Sequence, residues 1–120
     1  MNFEQIKKLF SQITDPVEKL EMVMDIGKCL ADTPDSAVCT DIVGCASFVQ
    51  ICRDGNNFYA KADSAIVRGI VAILLSMVDG KSPDEIKKMN LDKMFADLNI
   101  NIGAARLNGV NSMIQFLKHL

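Results

Sequence analysis

A chain of 120 residues, 49% of them hydrophobic, is long enough to bury a core without disulfides or a structural metal, and we expect one domain over residues 1–120. Its 13 Lys and Arg against 15 Asp and Glu give a net charge of −2, whereas nucleic-acid-binding domains are normally basic. Nucleic acid is therefore not an expected partner.

The first quarter of the chain predicts two helices. Asn2, with a glutamine three residues later, begins a capping box, and apolar residues recur at helical spacing as far as Ile13. A second helix start follows at Asp15, where Pro16 takes the first helical position and the apolar pattern continues to Leu30. We expect these two helices to pack together as a hairpin.

The next segment predicts a small antiparallel sheet. Residues 38–43 and 47–53 are rich in β-branched and aromatic residues, which favours two strands. Residues 54–57 have strong turn chemistry, and residues 58–62 alternate in polarity beyond the turn. A hairpin should therefore join the second strand to a third.

A buried helix should follow the sheet. Residues 64–79, which Asp63 can cap, are apolar on almost all sides, and this is typical of a helix surrounded by core. Its most apolar part, residues 66–78, is interrupted by Arg68 and is shorter than the roughly 20 residues that span a bilayer. We expect no membrane contact.

The last third of the chain predicts three more helical segments. Ser82 begins a capping box and a short helix that ends near residue 89, and residues 91–98 add one or two turns. The final helix carries one apolar face, formed by Leu107, Val110, Met113, Ile114, Leu117 and Leu120. The order of helices, hairpin sheet and helices predicts an α+β fold, with helices packed on a small antiparallel sheet of about three strands.

The cysteines and the N-terminus indicate a reducing compartment. Residues 1–5 show neither an export signal nor a transit-peptide pattern, so we expect a cytoplasmic protein, in which disulfides are rare. Cys29, Cys39, Cys45 and Cys52 are separated by nine, five and six residues, which are not the spacings of zinc or thioredoxin-like motifs. We expect each thiol to act singly and no metal to be bound.

Cys45 differs from the other three cysteines in its setting. It follows Gly44 at a break between two strand-like runs, and glycine allows the backbone of a partner to approach closely. The other three cysteines lie in or beside predicted elements, where cysteine usually serves as a small hydrophobic residue. From the residues alone, Cys45 is either a displayed reactive thiol or a small buried residue at a strand end.

No second catalytic group accompanies Cys45 in the sequence. The one histidine, His119, is next to last and is explained as a solvated residue at a helix end. There is no Gly-rich phosphate loop, Rossmann fingerprint or metal-ligand cluster. A thiol without its own base can still react with an electrophile on a partner, and sulfur exchange suits it because attack on a sulfur–sulfur bond needs no oxyanion hole.

Five motifs, in this order over nearly the whole chain, resemble the SufE family of sulfur-acceptor proteins. They are IGKCL at residues 26–30, VGCASFV at 43–49, ADSAIVRG at 62–69, SPDEI at 82–86 and ARLNGV at 105–110. The spacing of the second and third motifs, with a strand, a turn and a strand between them, strengthens the resemblance.

The resemblance implies that Cys45 accepts persulfide sulfur from a pyridoxal-phosphate cysteine desulfurase (SufS-like), that the chain stimulates this enzyme, and that the sulfur passes to an iron–sulfur scaffold complex (SufBCD-like). It implies supporting residues Gly44 and Ser47 in the cysteine loop, Arg106 beside the loop, and Asp63. It implies a two-layer SufE-like fold, as a monomer or weak homodimer, with the cysteine loop beside the start of the last helix. The cofactor belongs to the partner, so we expect none here and no independent turnover.

Arg106 and Asp63 each have two explanations. A guanidinium held near the cysteine loop would favour a thiolate or persulfide anion or contact the desulfurase; the alternative is that Arg106 is a solvated residue in a first helical turn. Asp63 is more simply explained as a helix N-cap than as a residue with a direct role.

Three interpretations of the function are open. In the first, Cys45 carries sulfur inside a partly apolar pocket whose wall is formed by Ala46, Phe48 and neighbouring core residues. In the second, the chain is a non-catalytic module that regulates a desulfurase by binding alone, and Cys45 is structural. In the third, it is a thiol redox protein in which Cys39 or Cys52 resolves an oxidised Cys45.

Overall fold

Six helices and three strands make up the fold of the computed structural model, which describes all 120 residues. In chain order they are α1 (Phe3–Ser11), α2 (Pro16–Gly27), β1 (Val38–Asp41), β2 (Val49–Asp54), β3 (Asn57–Ala62), α3 (Ala65–Val78), α4 (Pro83–Lys87), α5 (Leu91–Ala96) and α6 (Ala104–Lys118). The predicted α+β class is confirmed. None of the six helices is long and apolar enough to span a membrane.

Three helix starts use the side-chain caps that the sequence predicts. Such a cap satisfies a backbone N–H that has no partner within the helix. The side chains of Asn2, Asp15 and Ser82 each accept a backbone hydrogen bond from the first turn that follows them. The capping boxes at Asn2 and Ser82 are both complete.

The start of α3 differs from the prediction. The N-cap is Ser64, whose Oγ accepts from the backbone N–H of Val67 at 3.4 Å, so the prediction that Asp63 caps this helix is wrong. Asp63 is still engaged with the sheet, since its backbone N–H donates to the carbonyl of Phe48 at 3.4 Å. The helix therefore begins one residue later.

The sheet has the order β1-β2-β3, with both pairs antiparallel. Val49 and Ile51 of the central strand are buried and lie opposite Ala62 and Ala60 of β3, whereas all four residues of β1 are exposed. The first two strands are shorter than predicted, because the chain leaves the ladder after residue 42 and rejoins it at residue 49. The resulting loop contains Cys45.

Cys39 and Cys52 form a disulfide across β1 and β2, and the prediction that every cysteine acts singly is wrong for this pair. The two residues are directly opposite each other in the strand register, with their Cα atoms 4.0 Å apart. Sequence spacing carries no sign of a pair that strand register brings together. Cys29 and Cys45 are free, and of the three cysteines expected to be packed only Cys52 is buried.

α3 is the centre of the helical layer, as its apolar sequence predicts. Most of its residues are buried, and it packs against α2, β3, α1, α5 and α6. The predicted hairpin of α1 with α2 is wrong, because α1 packs on α3 instead. Because α3 is apolar on nearly all sides, each helix beside it can bury more apolar surface against α3 than against another helix.

α2 and α3 cross at two glycines. A Cβ atom on Gly69 would overlap the backbone carbonyl of Val23, and a Cβ on Gly27 would lie 2.8 Å from the backbone nitrogen of Gly69. The two backbones are therefore in contact, and no side chain fits between them.

We predict that Gly69→Ala destabilises the protein. Helix propensity alone would make this substitution stabilising by up to about 1 kcal/mol, but the overlap with the α2 backbone should cost about 1–3 kcal/mol or more. Urea unfolding followed by circular dichroism measures the change, and an increase in stability would contradict the close approach of the two helices.

Candidate functional site

The loop at residues 43–48 lies against α6, and two glycines permit this contact. Gly44 has a φ of 97°, and a Cβ atom there would clash with Oγ of Ser112. A Cβ on Gly109 would lie only 3.3 Å from Sγ of Cys45. Glycine at both positions therefore lets loop and helix meet closely enough to hold the thiol between them.

Cys45 is half-buried at the mouth of a pocket of about 230 Å³. The floor is apolar and is formed by Val67 and Ile70 of α3 and Met113 of α6. The remaining lining comes from the cysteine loop, the residue before α3 and the first turns of α6: Ala46, Ser47, Ser64, Ala105, Arg106 and Gly109. The thiol thus has a small, mainly apolar space beside it.

The surroundings of Cys45 favour the neutral thiol. Burial raises the pKa of this thiol, because removal of water penalises the charged form. Its Sγ donates to the backbone carbonyl of Gly109 at 3.7 Å, and a carbonyl oxygen offers no hydrogen bond to a thiolate. Since the thiolate is the nucleophile, Cys45 is held in a weakly reactive form.

Arg106 reaches the same pocket without activating the thiol. Its Nη1 donates to the backbone carbonyl of Ile102 at 3.2 Å, and it makes no hydrogen bond to Cys45. The guanidinium therefore lies at the rim of the pocket and is hydrogen-bonded to the segment that precedes α6.

The structure brings together most of the predicted site residues. Ser47 and Arg106 line the pocket with Cys45, and Gly44 shapes the loop. Asp63 is exposed and does not line it. Of the two residues expected in the wall, Ala46 lines the pocket, whereas Phe48 is not part of the lining and is 42% exposed.

The sequence predicts that core residues line the pocket but does not identify which ones, and it gives no sign of the role of Gly109. Periodicity identifies Met113 as a core residue, but no local signal shows which core side chains border an empty space. Leu107 was expected on the buried face of α6 and is 48% exposed, because it borders an open groove between α5 and α6.

Metal and histidine chemistry have no support at this site. No group of three or more His, Cys, Asp and Glu side chains is arranged to hold a metal ion. His119 ends α6, ten residues beyond Gly109, and is therefore about 15 Å farther along the helix. A Cys45–His119 pair is excluded by this geometry.

Comparison with known proteins identifies a matching family and several related sequences. The family model SufE: Fe-S metabolism associated domain matches residues 4–120. The sulfur acceptor protein CsdE of Escherichia coli is 28% identical, over 92% of this chain and 81% of its own length. An uncharacterized SufE-like protein of Rhizobium meliloti is 27% identical over 98% of this chain and 92% of its own.

One solved structure supports the fold. The solution structure of a hypothetical protein from Thermus thermophilus has a TM-score of 0.64 with this chain at 15% sequence identity. The match covers 97% of this chain and 90% of that one. The arrangement of helices and sheet is therefore shared.

We predict that Gly44→Ala costs more stability than Gly55→Ala. Both positions have positive φ values, 97° and 62°, so each substitution carries backbone strain of roughly 1–2 kcal/mol. A Cβ on Gly55 meets no atom within 4 Å, whereas one on Gly44 meets Ser112. Urea unfolding of both variants isolates the loop–helix contact, and equal losses would show that this contact is unimportant.

We predict that Cys45 is alkylated slowly at neutral pH. Its raised pKa means that the rate should keep rising with pH past the ordinary thiol midpoint of about 8.5. Iodoacetamide labelling followed by peptide mass spectrometry measures this, with the exposed free thiol Cys29 as an internal reference. A midpoint for Cys45 below the ordinary value would show that the site activates its own thiol.

Proposed function

Because the chain belongs to the SufE family, we propose that it is a sulfur acceptor whose Cys45 takes persulfide sulfur from a pyridoxal-phosphate cysteine desulfurase. The observation that carries the proposal is a free, half-buried cysteine on a glycine-shaped loop over an apolar pocket. The likeness to CsdE, named as a sulfur acceptor, supports it.

The proposed transfer is a thiol exchange. Cys45 loses its proton and attacks the terminal sulfur of the persulfide on the partner's cysteine. The sulfur–sulfur bond on the partner breaks as a new one forms on Cys45, and the partner's cysteine leaves as a thiolate that takes up a proton. Sulfur moves without net oxidation or reduction, so this chain needs no cofactor of its own.

The pocket gives the added sulfur a protected place. Val67, Ile70 and Met113 form an apolar floor beside the thiol. A persulfide there is covered by side chains that neither hydrogen-bond to it nor react with it. This would limit its loss to free thiols, which attack accessible persulfides readily.

Activation of Cys45 is proposed to occur on docking. The free protein holds the thiol neutral, so the partner must draw it away from Gly109 and stabilise its thiolate. Val43 and Phe48, on either side of Cys45 in the loop, are 89% and 42% exposed, so a partner docked on the loop would remove apolar surface of both from water. With Arg106 at the rim, they form the surface that we propose contacts the desulfurase.

The stored sulfur is proposed to pass on to an iron–sulfur scaffold complex. The same exchange chemistry serves, because a second thiol can attack the outer sulfur of the Cys45 persulfide. Stimulation of the desulfurase follows if removal of its persulfide limits its turnover.

We predict that incubation with a cysteine desulfurase and cysteine adds one sulfur atom to the chain, at Cys45. Intact-mass analysis under non-reducing conditions should show the added sulfur in the native protein and in the Cys29→Ser control. The adduct should be absent from Cys45→Ser, which also should not stimulate sulfide production.

Two outcomes would contradict the proposal. An adduct that persists in Cys45→Ser would place the acceptor elsewhere. Full stimulation by Cys45→Ser without any adduct would favour a regulator that acts by binding alone.

A further inference from the structure

The Cys39–Cys52 disulfide closes a covalent ring that contains the whole Cys45 loop. The bond joins β1 to β2, and every residue between the two cysteines, including Cys45, lies within the ring. Both ends of the loop are therefore tied at the strands from which it emerges.

β1 is weakly held apart from this bond. It is the edge strand, all four of its residues are exposed, and Val38 is 74% exposed. It is held by the backbone ladder to β2 and by exposed side-chain hydrogen bonds, such as that from Gln50 Nε2 to Asp41 Oδ1 at 2.9 Å. A strand without core side chains opens at low free-energy cost once a covalent tie is removed.

The other end of the loop is firmly held. β2 is the central strand, and Val49, at its start, is buried and paired with Ala62 of β3. Release of the loop is therefore easier from the β1 side, where Asp41 lies three residues before Gly44. On this side the contacts to be broken are those of Ile42, which is partly buried against the core and donates its backbone N–H to the carbonyl of Val49 at 2.9 Å.

We propose that Cys39–Cys52 is a thiol–disulfide exchange site, whose reduction by an external dithiol frees β1 and loosens the Cys45 loop. The release of the loop stands on the structure alone, and its effect on sulfur acceptance rests on the proposed function. The oxidised form keeps Cys45 against α6, and the reduced form lets it reach a docked partner.

The exchange begins at Cys39. Cys39 is exposed on the open edge of the sheet, while Cys52 is fully buried on the central strand. A thiolate of the external dithiol attacks Sγ of Cys39, the disulfide breaks, and Cys52 leaves as a thiolate that takes up a proton. The second thiol of the reductant then attacks the mixed disulfide, which releases Cys39 as a thiol and leaves the reductant oxidised by two electrons.

Hydrogen exchange and alkylation of the native protein test this inference without any desulfurase. The oxidised protein is compared with protein reduced by dithiothreitol and freed of reductant under anaerobic conditions. We expect amide exchange over residues 38–48 to rise about tenfold on reduction. The disulfide restricts the opening of the loop that it closes, and a tenfold rise corresponds to the loss of part of that restriction. Alkylation of Cys45 should accelerate several-fold, while that of Cys29, outside the ring, should not change.

A matched variant checks the assignment. The double substitution Cys39→Ser with Cys52→Ser should behave like the reduced protein under both conditions. If it fails to fold, the comparison of the two redox forms of the native chain still decides.

Three results would overturn the proposal. The first is four alkylatable thiols after oxidant treatment, and the second is equal amide exchange over residues 38–48 and equal alkylation of Cys45 in both forms. The third is a rise in amide exchange throughout α3 on reduction. The last result would make the disulfide a support of the whole fold. None of these results bears on whether Cys45 accepts sulfur, which the mass experiment decides separately.

Discussion

The backbone contact between α2 and α3 is the constraint on which the site depends. Because Gly27 and Gly69 have no side chains, the two helices approach closely, and α3 becomes the element on which the sheet and the other long helices pack. The first turns of α3 then provide Val67 and Ile70 as the floor of the Cys45 pocket. Val67 and Ile70 are buried residues of α3, the helix at the centre of the core. The pocket floor is therefore held in place by the packing of the core.

A second pair of glycines allows a similar close backbone contact at the site. Gly44 and Gly109 let the cysteine loop lie directly on α6, so Sγ of the half-buried Cys45 donates to the backbone carbonyl of Gly109. That arrangement opposes reactivity, because it buries the thiol and stabilises its protonated form. For the proposed sulfur acceptor, a thiol that is inactive alone leaves its activation to the partner, which is the division of chemistry that the proposal assigns.

The sequence predicted the features that depend on neighbours in the chain. The caps at Asn2, Asp15 and Ser82, the turn after β2 and the apolar character of α3 are all local, so a few adjacent residues determine them. The cap of α3 was predicted one residue early, because the hydrogen bond from Asp63 to Phe48 joins residues that are distant in sequence. The Cys39–Cys52 bond and the pocket floor depend on strand register and helix packing, which no spacing in a single sequence reveals.

The proposed sulfur transfer sets two opposed requirements for the cysteine loop, which must cover the sulfur and also present it. The fold separates them by attaching the loop to two unequal supports, the buried central strand β2 at one end and the exposed edge strand β1 at the other. Cover comes from α6 and the pocket, which do not need to change. Presentation is proposed to come from the weaker support, because displacing Val49 would break a fully buried strand pair, whereas displacing Asp41 and Ile42 disturbs one exposed and one partly buried residue. The disulfide joins the two supports at the one register position where both strands carry cysteine, and so it ties the exposed edge strand to the buried central strand.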